Sequence, residues 1–370
     1  MRKEIYLDAP NVGLLEKEYL CKSIDSTFVS TFGKFVPEFE KGFAKYLRIN
    51  NAVSTQSGTA AIHMALRELQ IGKGDEVIVP VSTFVATVNP VVYVGACPVF
   101  VDVEPATWNM SPLDIKKKIT KKTKAIIPVH LYGNPCNMDE IMHIAQSHGL
   151  RVIEDAAESL GAKYNGKFTG TFGDMGCFSF NGNKIITTGG GGMVVGSDAK
   201  KIAHIKLVIN QANDGCGEYY HPEIGYNYRM TNLEAVLGLA QMTKLKTFLA
   251  KKRKFNAIYR KELKKINMIS FQEELNGANS SHWLTCIIFN KDIDILKLQK
   301  RLKDKGIQTR RTFKPLVEFP PYVSYNKGKY ENSYNIYSKG LCLPGSTLNN
   351  EEEINYVCRT LKKEIAYIVR

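Results

Sequence analysis

From about residue 50 the chain alternates short apolar runs with stretches of helical spacing. DEVIVP (75–80), PVFVDV (98–103), KAIIPVH (124–130) and RVIEDA (151–156) are apolar on consecutive positions, which predicts buried strands. Between them, TAAIHMALRELQ (59–70), TFVATVNPVVYVG (83–95), SPLDIKKKI (111–119) and NMDEIMHIAQSHG (137–149) predict helices, the second interrupted by Pro90. GCFSF (176–180) and GGMVVG (191–196) add two more strands. Strands that alternate with helices predict an α/β fold with a mostly parallel central sheet covered by helices. YRMTNLEAVLGLAQMTKL (228–245) opens a long helix, and beyond it the pattern changes. One buried strand, LTCIIF (284–289), and two helices, DILKLQKRLKDKG (294–306) and NEEEINYVCRTLKKEIAYIV (350–369), predict a smaller α+β unit. The boundary is placed at 250: a large domain over 1–250 and a small C-terminal domain over 251–370. The N-terminal segment is left open to packing with the small domain.

Composition narrows the class. With 44% hydrophobic and 23% charged residues, the chain of 370 residues reads as a soluble globular protein. No apolar run approaches the roughly 20 residues of a membrane helix. MRKEIYLDAPN has no apolar core behind its basic residues, so it is not read as a signal peptide. The eight cysteines are scattered without a C-x-x-C pair, which argues against zinc and against a disulfide framework. They are expected to be mostly small buried apolar residues in a reducing cytoplasm. The net charge of +14 is concentrated in 114–124 and 244–265. The second run keeps helical apolar spacing, so its lysines are expected on a solvated helix face. No nucleic-acid motif accompanies the charge, and an anionic small substrate explains it better. No metal site and no membrane contact are expected.

Four groups carry candidate chemistry. Ser57, Gly58 and Thr59 begin a predicted helix, where free N–H groups suit a phosphate, although taken alone an ordinary helix cap by Ser57 or Thr59 is the simpler explanation. Phe84 follows a strand, where it can stack on a flat heterocycle or pack in the core. Glu154 and Asp155 end an apolar strand, with Glu158 three residues on, and adjacent carboxylates there are costly unless paired. Lys184 sits in CFSFNGNKIITTGGGGMVV (177–195), between two apolar runs and before four glycines that permit close backbone approach. Singly, each has a structural explanation. Together they match one ligand, pyridoxal phosphate: a helix start for the phosphate, an aromatic for the ring, a carboxylate for the ring nitrogen, and a lysine to bind it covalently.

SGTAAIHMAL, VPVSTFVATVNPVVYVGACPVFVDV, AIIPVHLYGNP, VIEDAAESLGA, FSFNGNKIITTGGGGMVV and GYNYRMTNLEAVLGLAQM occur in one order along nearly the whole chain. In these motifs the chain resembles the DegT/DnrJ/EryC1 sugar aminotransferases of fold type I, and most of all the perosamine-synthase-like enzymes. The resemblance implies pyridoxal 5'-phosphate as cofactor, with pyridoxamine 5'-phosphate between two half-reactions. It implies that Lys184 binds the cofactor and shuttles the proton, that Asp155 pairs with the ring nitrogen, and that Glu158 lies near the ring hydroxyl. Phe84 would stack on the ring, and Gly58, Thr59 and Ser179 would hold the phosphate. Asn227 would reach the phosphate of a neighbouring subunit, which implies a homodimer with shared sites. L-glutamate is the implied donor and a 4-keto-6-deoxy nucleotide sugar for a surface glycan or capsule the implied acceptor, in the cytoplasm.

Three segments depart from the family pattern. Gly190 stands where a glutamate is usual, Asn181 where an aromatic is frequent, and residues 310–317 read RRTFKPLV instead of RPFFYPLH. Such segments face substrate more than cofactor in the family. Asn181, Arg229, Arg310, Arg311 and Lys314 are therefore the candidate substrate residues. The added cations keep a small phosphorylated ketone such as dihydroxyacetone phosphate open as an alternative acceptor. A cofactor-binding regulator without turnover is the non-enzymatic alternative.

Overall fold

The computed structural model describes residues 4–368; the first three residues of the basic N-terminus and residues 369–370, which include the expected end of the last helix, lie outside the described residues. The first half runs α1 (Leu14–Asp25), α2 (Phe35–Leu47), β1 (Asn51–Thr55), α3 (Gly58–Glu68), β2 (Glu76–Pro80), α4 (Val85–Tyr93), β3 (Cys97–Val101), α5 (Pro112–Lys118), β4 (Thr123–Ile126), α6 (Met138–His148) and β5 (Arg151–Asp155). A small hairpin, β6 (Lys163–Tyr164) and β7 (Lys167–Phe168), precedes β8 (Met175–Ser179), β9 (Gly192–Gly196), α7 (Ala199–Val208) and the 32-residue α8 (Asn232–Leu263). The remainder is β10 (Ile269–Phe271), β11 (Ala278–Asn279), β12 (Thr285–Phe289), α9 (Ile295–Lys303), β13 (Arg310–Arg311), α10 (Glu331–Lys339), β14 (Gly340–Leu343) and α11 (Glu351–Ile368).

Seven strands form the central sheet in the order β1-β9-β8-β5-β4-β2-β3. β3, β2, β4, β5 and β8 are mutually parallel, and β9 runs antiparallel to both of its neighbours. The parallel strands are apolar on both faces, as their cover by helices requires. Their order puts the carboxyl ends of β2, β4, β5 and β8 along one edge, where an α/β sheet binds its ligands. A second sheet, β10-β12-β14-β13, forms the core of the C-terminal part. α8 passes residue 250 without interruption, packing on α1 and α2 with one half and on α11 with the other. Residues 5–9 lie along the C-terminal part, with Ile5 bridged to Ile307.

Two sequence readings change here. The lysines of 244–265 are not all solvated: Lys252 is 4% exposed, with Nζ donating to the carbonyls of Trp283 (3.0 Å) and Gly345 (2.8 Å). Burial depresses it to about 8. A helix that passes between two parts of a protein buries more than one stripe, so one face of α8 cannot be assigned to water throughout.

The glycine run has a packing role. Gly191 bridges to Ser57, its N–H donating to the Gln56 carbonyl at 2.8 Å. A Cβ on Gly192 would stand 2.5 Å from the Ser57 carbonyl and 2.7 Å from Gly58 N. These glycines bring the Lys184 loop and the start of α3 into backbone contact. Gly192→Ala is expected to cost about 1–3 kcal/mol and to lower the melting temperature by several degrees. Gly182→Ala, where a Cβ meets nothing within 4 Å, should leave it unchanged. Equal melting curves would refute the packing account.

Candidate active site

The strand ends surround a cavity of about 580 Å³. On its floor, Asp155 closes β5. Thr87 Oγ1 donates to Asp155 Oδ2 at 2.7 Å, and the Ala157 N–H donates to Oδ1 at 3.1 Å. Thr87 has one proton, so Thr83, 2.9 Å away, donates to Thr87 in turn. This chain leaves Asp155 an acceptor at the cavity edge, suited to a cationic nitrogen. Glu154 faces away because strand side chains alternate. Its carboxylate is fully buried and accepts from Gly170 N (2.7 Å), Phe172 N (2.5 Å), Gly173 N (2.8 Å) and His130 Nε2 (3.0 Å). The Cys136 N–H donates to His130 Nδ1, which fixes the Nε2–H tautomer. The paired carboxylates thus divide their work: Glu154 is structural, and Asp155 belongs to the site.

Lys184 Nζ lies 3.7 Å from Glu158 Oε1 and 4.3 Å from the centre of the Trp283 ring. Glu158 Oε2 accepts the Tyr132 N–H at 2.8 Å. Burial raises the Glu158 carboxyl above its ordinary range, and the Lys184 ammonium opposes the shift. At the opposite end, Ser57 caps α3 by accepting the Ala60 N–H at 3.1 Å. As in the first turn of any helix, the N–H groups of Gly58 and Thr59 have no acceptor within α3. Ser179 adjoins this turn so closely that a Cβ on Gly58 would stand 2.8 Å from its Cβ. A helix start with its first-turn amides and an adjoining hydroxyl suits a phosphate. Phe84 stands on the cavity wall, 55% exposed, and offers a ring face to a ligand. Gly58, Thr59, Phe84, Asp155, Glu158, Ser179, Asn181, Lys184, Arg310 and Lys314 all line this one cavity.

Arg311 and Arg229 do not line it. β13 alternates, so Arg310 faces the cavity while Arg311 turns to the other side, where it stacks on Tyr337 at 3.8 Å and donates to the Tyr337 carbonyl. Arg229 lies in a second cavity, donating to Asn210 Oδ1 and the Thr31 carbonyl. Asn227 is exposed, away from the cavity of its own chain. Trp283 was missed by the sequence reading, as were Thr87 and Asp8. Thr87 had a signal in its i, i+4 spacing from Thr83; the others are brought in by tertiary contacts alone.

A model of the DegT/DnrJ/EryC1/StrS aminotransferase family matches residues 12–362. Over 367 residues the chain is 40% identical to the GDP-perosamine synthase of Escherichia coli O157:H7, with 98% of each chain covered. Over 201 residues, 54% of each chain, it is 48% identical to a UDP-N-acetyl-3-dehydro-alpha-D-glucosamine 3-aminotransferase of Acidithiobacillus ferrooxidans. The fold is similar to that of the aminotransferase from Psychrobacter cryohalolentis, at a TM-score of 0.92 and 28% identity, covering 99% of this chain and 100% of that one. Fold and site together define a fold-type I transaminase that depends on pyridoxal phosphate. The chain belongs to the DegT/DnrJ/EryC1/StrS aminotransferase family, whose reaction is the transamination of sugars. The residues present fit the cofactor: a helix start suited to phosphate, a carboxyl group and an amine share one cavity.

The segment carrying Asn227 is pinned by charge. His204 on α7 meets Glu223 through Nε2 (2.6 Å) and Glu68 of α3 through Nδ1, while Arg67 also pairs with Glu223. Burial works against charging His204, but hydrogen bonds to Glu223 and Glu68 outweigh it and raise its pKa above the ordinary 6.5. The clamp therefore contributes fully below pH 6.5 and is lost as pH rises through the raised value. Melting temperatures from about pH 5 to 9 should show wild type losing its margin over His204→Gln as pH rises. A constant margin would contradict this.

Proposed function

We propose that this protein transfers the amino group of L-glutamate to a 4-keto-6-deoxy nucleotide sugar, in the cytoplasm, for a surface polysaccharide such as a capsule. The observation that carries the reading is one cavity in which Lys184, Asp155 and the α3 start meet Arg310 and Lys314 on the facing wall. The full-length similarity to a GDP-perosamine synthase supports the acceptor class. We take the working form to be a homodimer in which Asn227 completes the partner's phosphate seat; its exposure, outside its own cavity, fits that role. The division into a large domain (1–250) and a small one (251–370) remains part of the proposal.

When bound, pyridoxal phosphate supplies an electron sink for the carbon that loses its proton. The protein's residues do the rest. Gly58, Thr59 and Ser179 hold the phosphate, and Asp155, fixed by Thr87, holds a positive charge on the ring nitrogen. Phe84 covers the ring. Lys184 Nζ takes the proton from the donor carbon and later returns one to the acceptor carbon. Glu158, with its raised affinity for a proton, lies close enough to exchange charge with that amine. Trp283 shields the amine from water and stabilises its cationic form. Arg310 and Lys314 attract the anionic part of the acceptor. Those two cations also suit a small keto-phosphate, the second reading.

The test is a pair of half-reactions. L-glutamate should bleach the yellow absorbance of the loaded protein, and after the donor is removed a 4-keto-6-deoxy nucleotide sugar should restore it. Restoration only by nucleotide-linked 3-keto sugars, or only by dihydroxyacetone phosphate, would replace the acceptor; a failure to bleach would refute the donor. Lys184→Ala should abolish turnover with the fold intact. Asp155→Asn should lower kcat about a hundredfold; near-normal turnover in either variant would remove the assigned role.

A further inference from the structure

Asp8, on the N-terminal strap, meets two residues that line the cavity, Asn183 and Arg310, and the strap is held on both sides of it. The Tyr6 N–H donates to Asn349 Oδ1 at 3.0 Å, and Asn349 Nδ2 donates back to the Tyr6 carbonyl at 2.7 Å. The Leu7 N–H donates to Gln308 Oε1 at 3.1 Å, and the Leu7 carbonyl accepts the Gly345 N–H at 2.7 Å. Ser346 Oγ donates to the Ala9 carbonyl at 2.7 Å. The Asp8 carboxylate is therefore fixed by its backbone. Its Oδ2 accepts from Asn183 Nδ2 at 3.0 Å, one residue before Lys184, and stands 3.5 Å from Arg310 Nη1.

Arg310 is underused. Among the described residues its guanidinium makes no hydrogen bond to the protein, and Nη2 is buried without a partner. It lies 5.5 Å from the Trp283 ring centre and 5.9 Å from that of Phe313. Its one ion pair is the loose contact with Asp8. A guanidinium carries five donors in a planar fork suited to carboxylate or phosphate. On a cavity wall, with those donors unspent, it is placed to receive an oxyanion.

We propose that Asp8 is a specificity-determining residue: it is the resident counter-charge of Arg310, and any anionic group of the substrate must displace it or share the guanidinium with it. This rests on the reading that the cavity takes an anionic substrate. The empty site is thereby kept from holding inorganic anions of the solution, and only an anion delivered with further contacts binds well. The oxyanion belongs either to the acceptor's phosphate or to the donor's carboxylate.

Calorimetric titration of the cofactor-loaded protein separates these sources, with pyrophosphate and glutarate as probes. In Asp8→Asn the amide oxygen can still accept from Asn183, while the charge is gone. That variant should bind one probe roughly tenfold more tightly, with a steeper dependence on salt. Arg310→Met should weaken the same probe by a similar factor. A response to pyrophosphate assigns the acceptor, and a response to glutarate the donor. Unchanged or weaker binding of both probes by Asp8→Asn would overturn the proposal. So would wild-type affinity in Arg310→Met; should that variant not fold, the Asp8 variant decides alone. Failure of the sugar-nucleotide reading would show separately, in the half-reaction with keto sugars and not in these affinities.

Discussion

The buried carboxylate of Glu154 organises the floor of this site. A charge with no exposure is costly unless its lone pairs are filled, and here four donors fill them. The donors come from His130, beyond β4, and from the 170–173 turn that leads into β8. One side chain on β5 therefore ties three neighbouring strand ends together. Those ends deliver Tyr132 and its grip on Glu158, Asp155 itself, and Ser179. Removing one partner of such a group leaves the others facing an uncompensated charge, so the network stands or fails together. The catalytic face is accurate because the opposite face of the same strand is fully satisfied.

A second constraint joins the two ends of the site. The phosphate seat and the lysine loop are far apart in sequence, yet Gly191 and Gly192 lay the start of β9 directly on the Ser57–Gly58 backbone. Any side chain at Gly192 would separate them. The same contact explains the single antiparallel strand: β9 returns between β1 and β8, and so places the residues after Lys184 beside the residues before α3.

Much of this was legible in the sequence. Continuous apolar runs separated by helical spacing gave the parallel sheet, strand ends gave Phe84, Asp155 and Lys184 as neighbours, and the family resemblance added Ser179. What the pattern could not supply is which member of an adjacent pair faces the cavity. Glu154 and Asp155 alternate, as do Arg310 and Arg311, and period alone does not say which face is inward. Contacts between distant segments were equally hidden. Trp283 reaches Lys184 across 99 positions, and Asp8 reaches Arg310 across 302. Lys252 was hidden for a different reason: in a helix dense with lysine, the one whose ammonium fills a pair of buried carbonyls has no distinguishing neighbour in sequence.

On the proposed reading, the charges inside the cavity bear on how one lysine would serve two half-reactions. Lys184 and Glu158 are close enough for the carboxyl to feel the charge on the amine. Burial already favours the neutral carboxyl, and the Lys184 ammonium opposes it together with the Tyr132 N–H and the Arg310 guanidinium. If Lys184 gave up its positive charge, part of that opposition would go and Glu158 would bind a proton more firmly. When Lys184 regains the charge, Glu158 releases its proton more readily. The pair would thus keep its net charge nearly constant while a proton moves, which limits the electrostatic cost of each transfer. Trp283 acts in the same sense, since its ring face stabilises the cation without adding a second titrating group. Asp8 and Arg310 form a second pair at the substrate end, and the Arg310 charge also reaches Glu158, so an anion that binds Arg310 would bear on the carboxyl beside Lys184 as well.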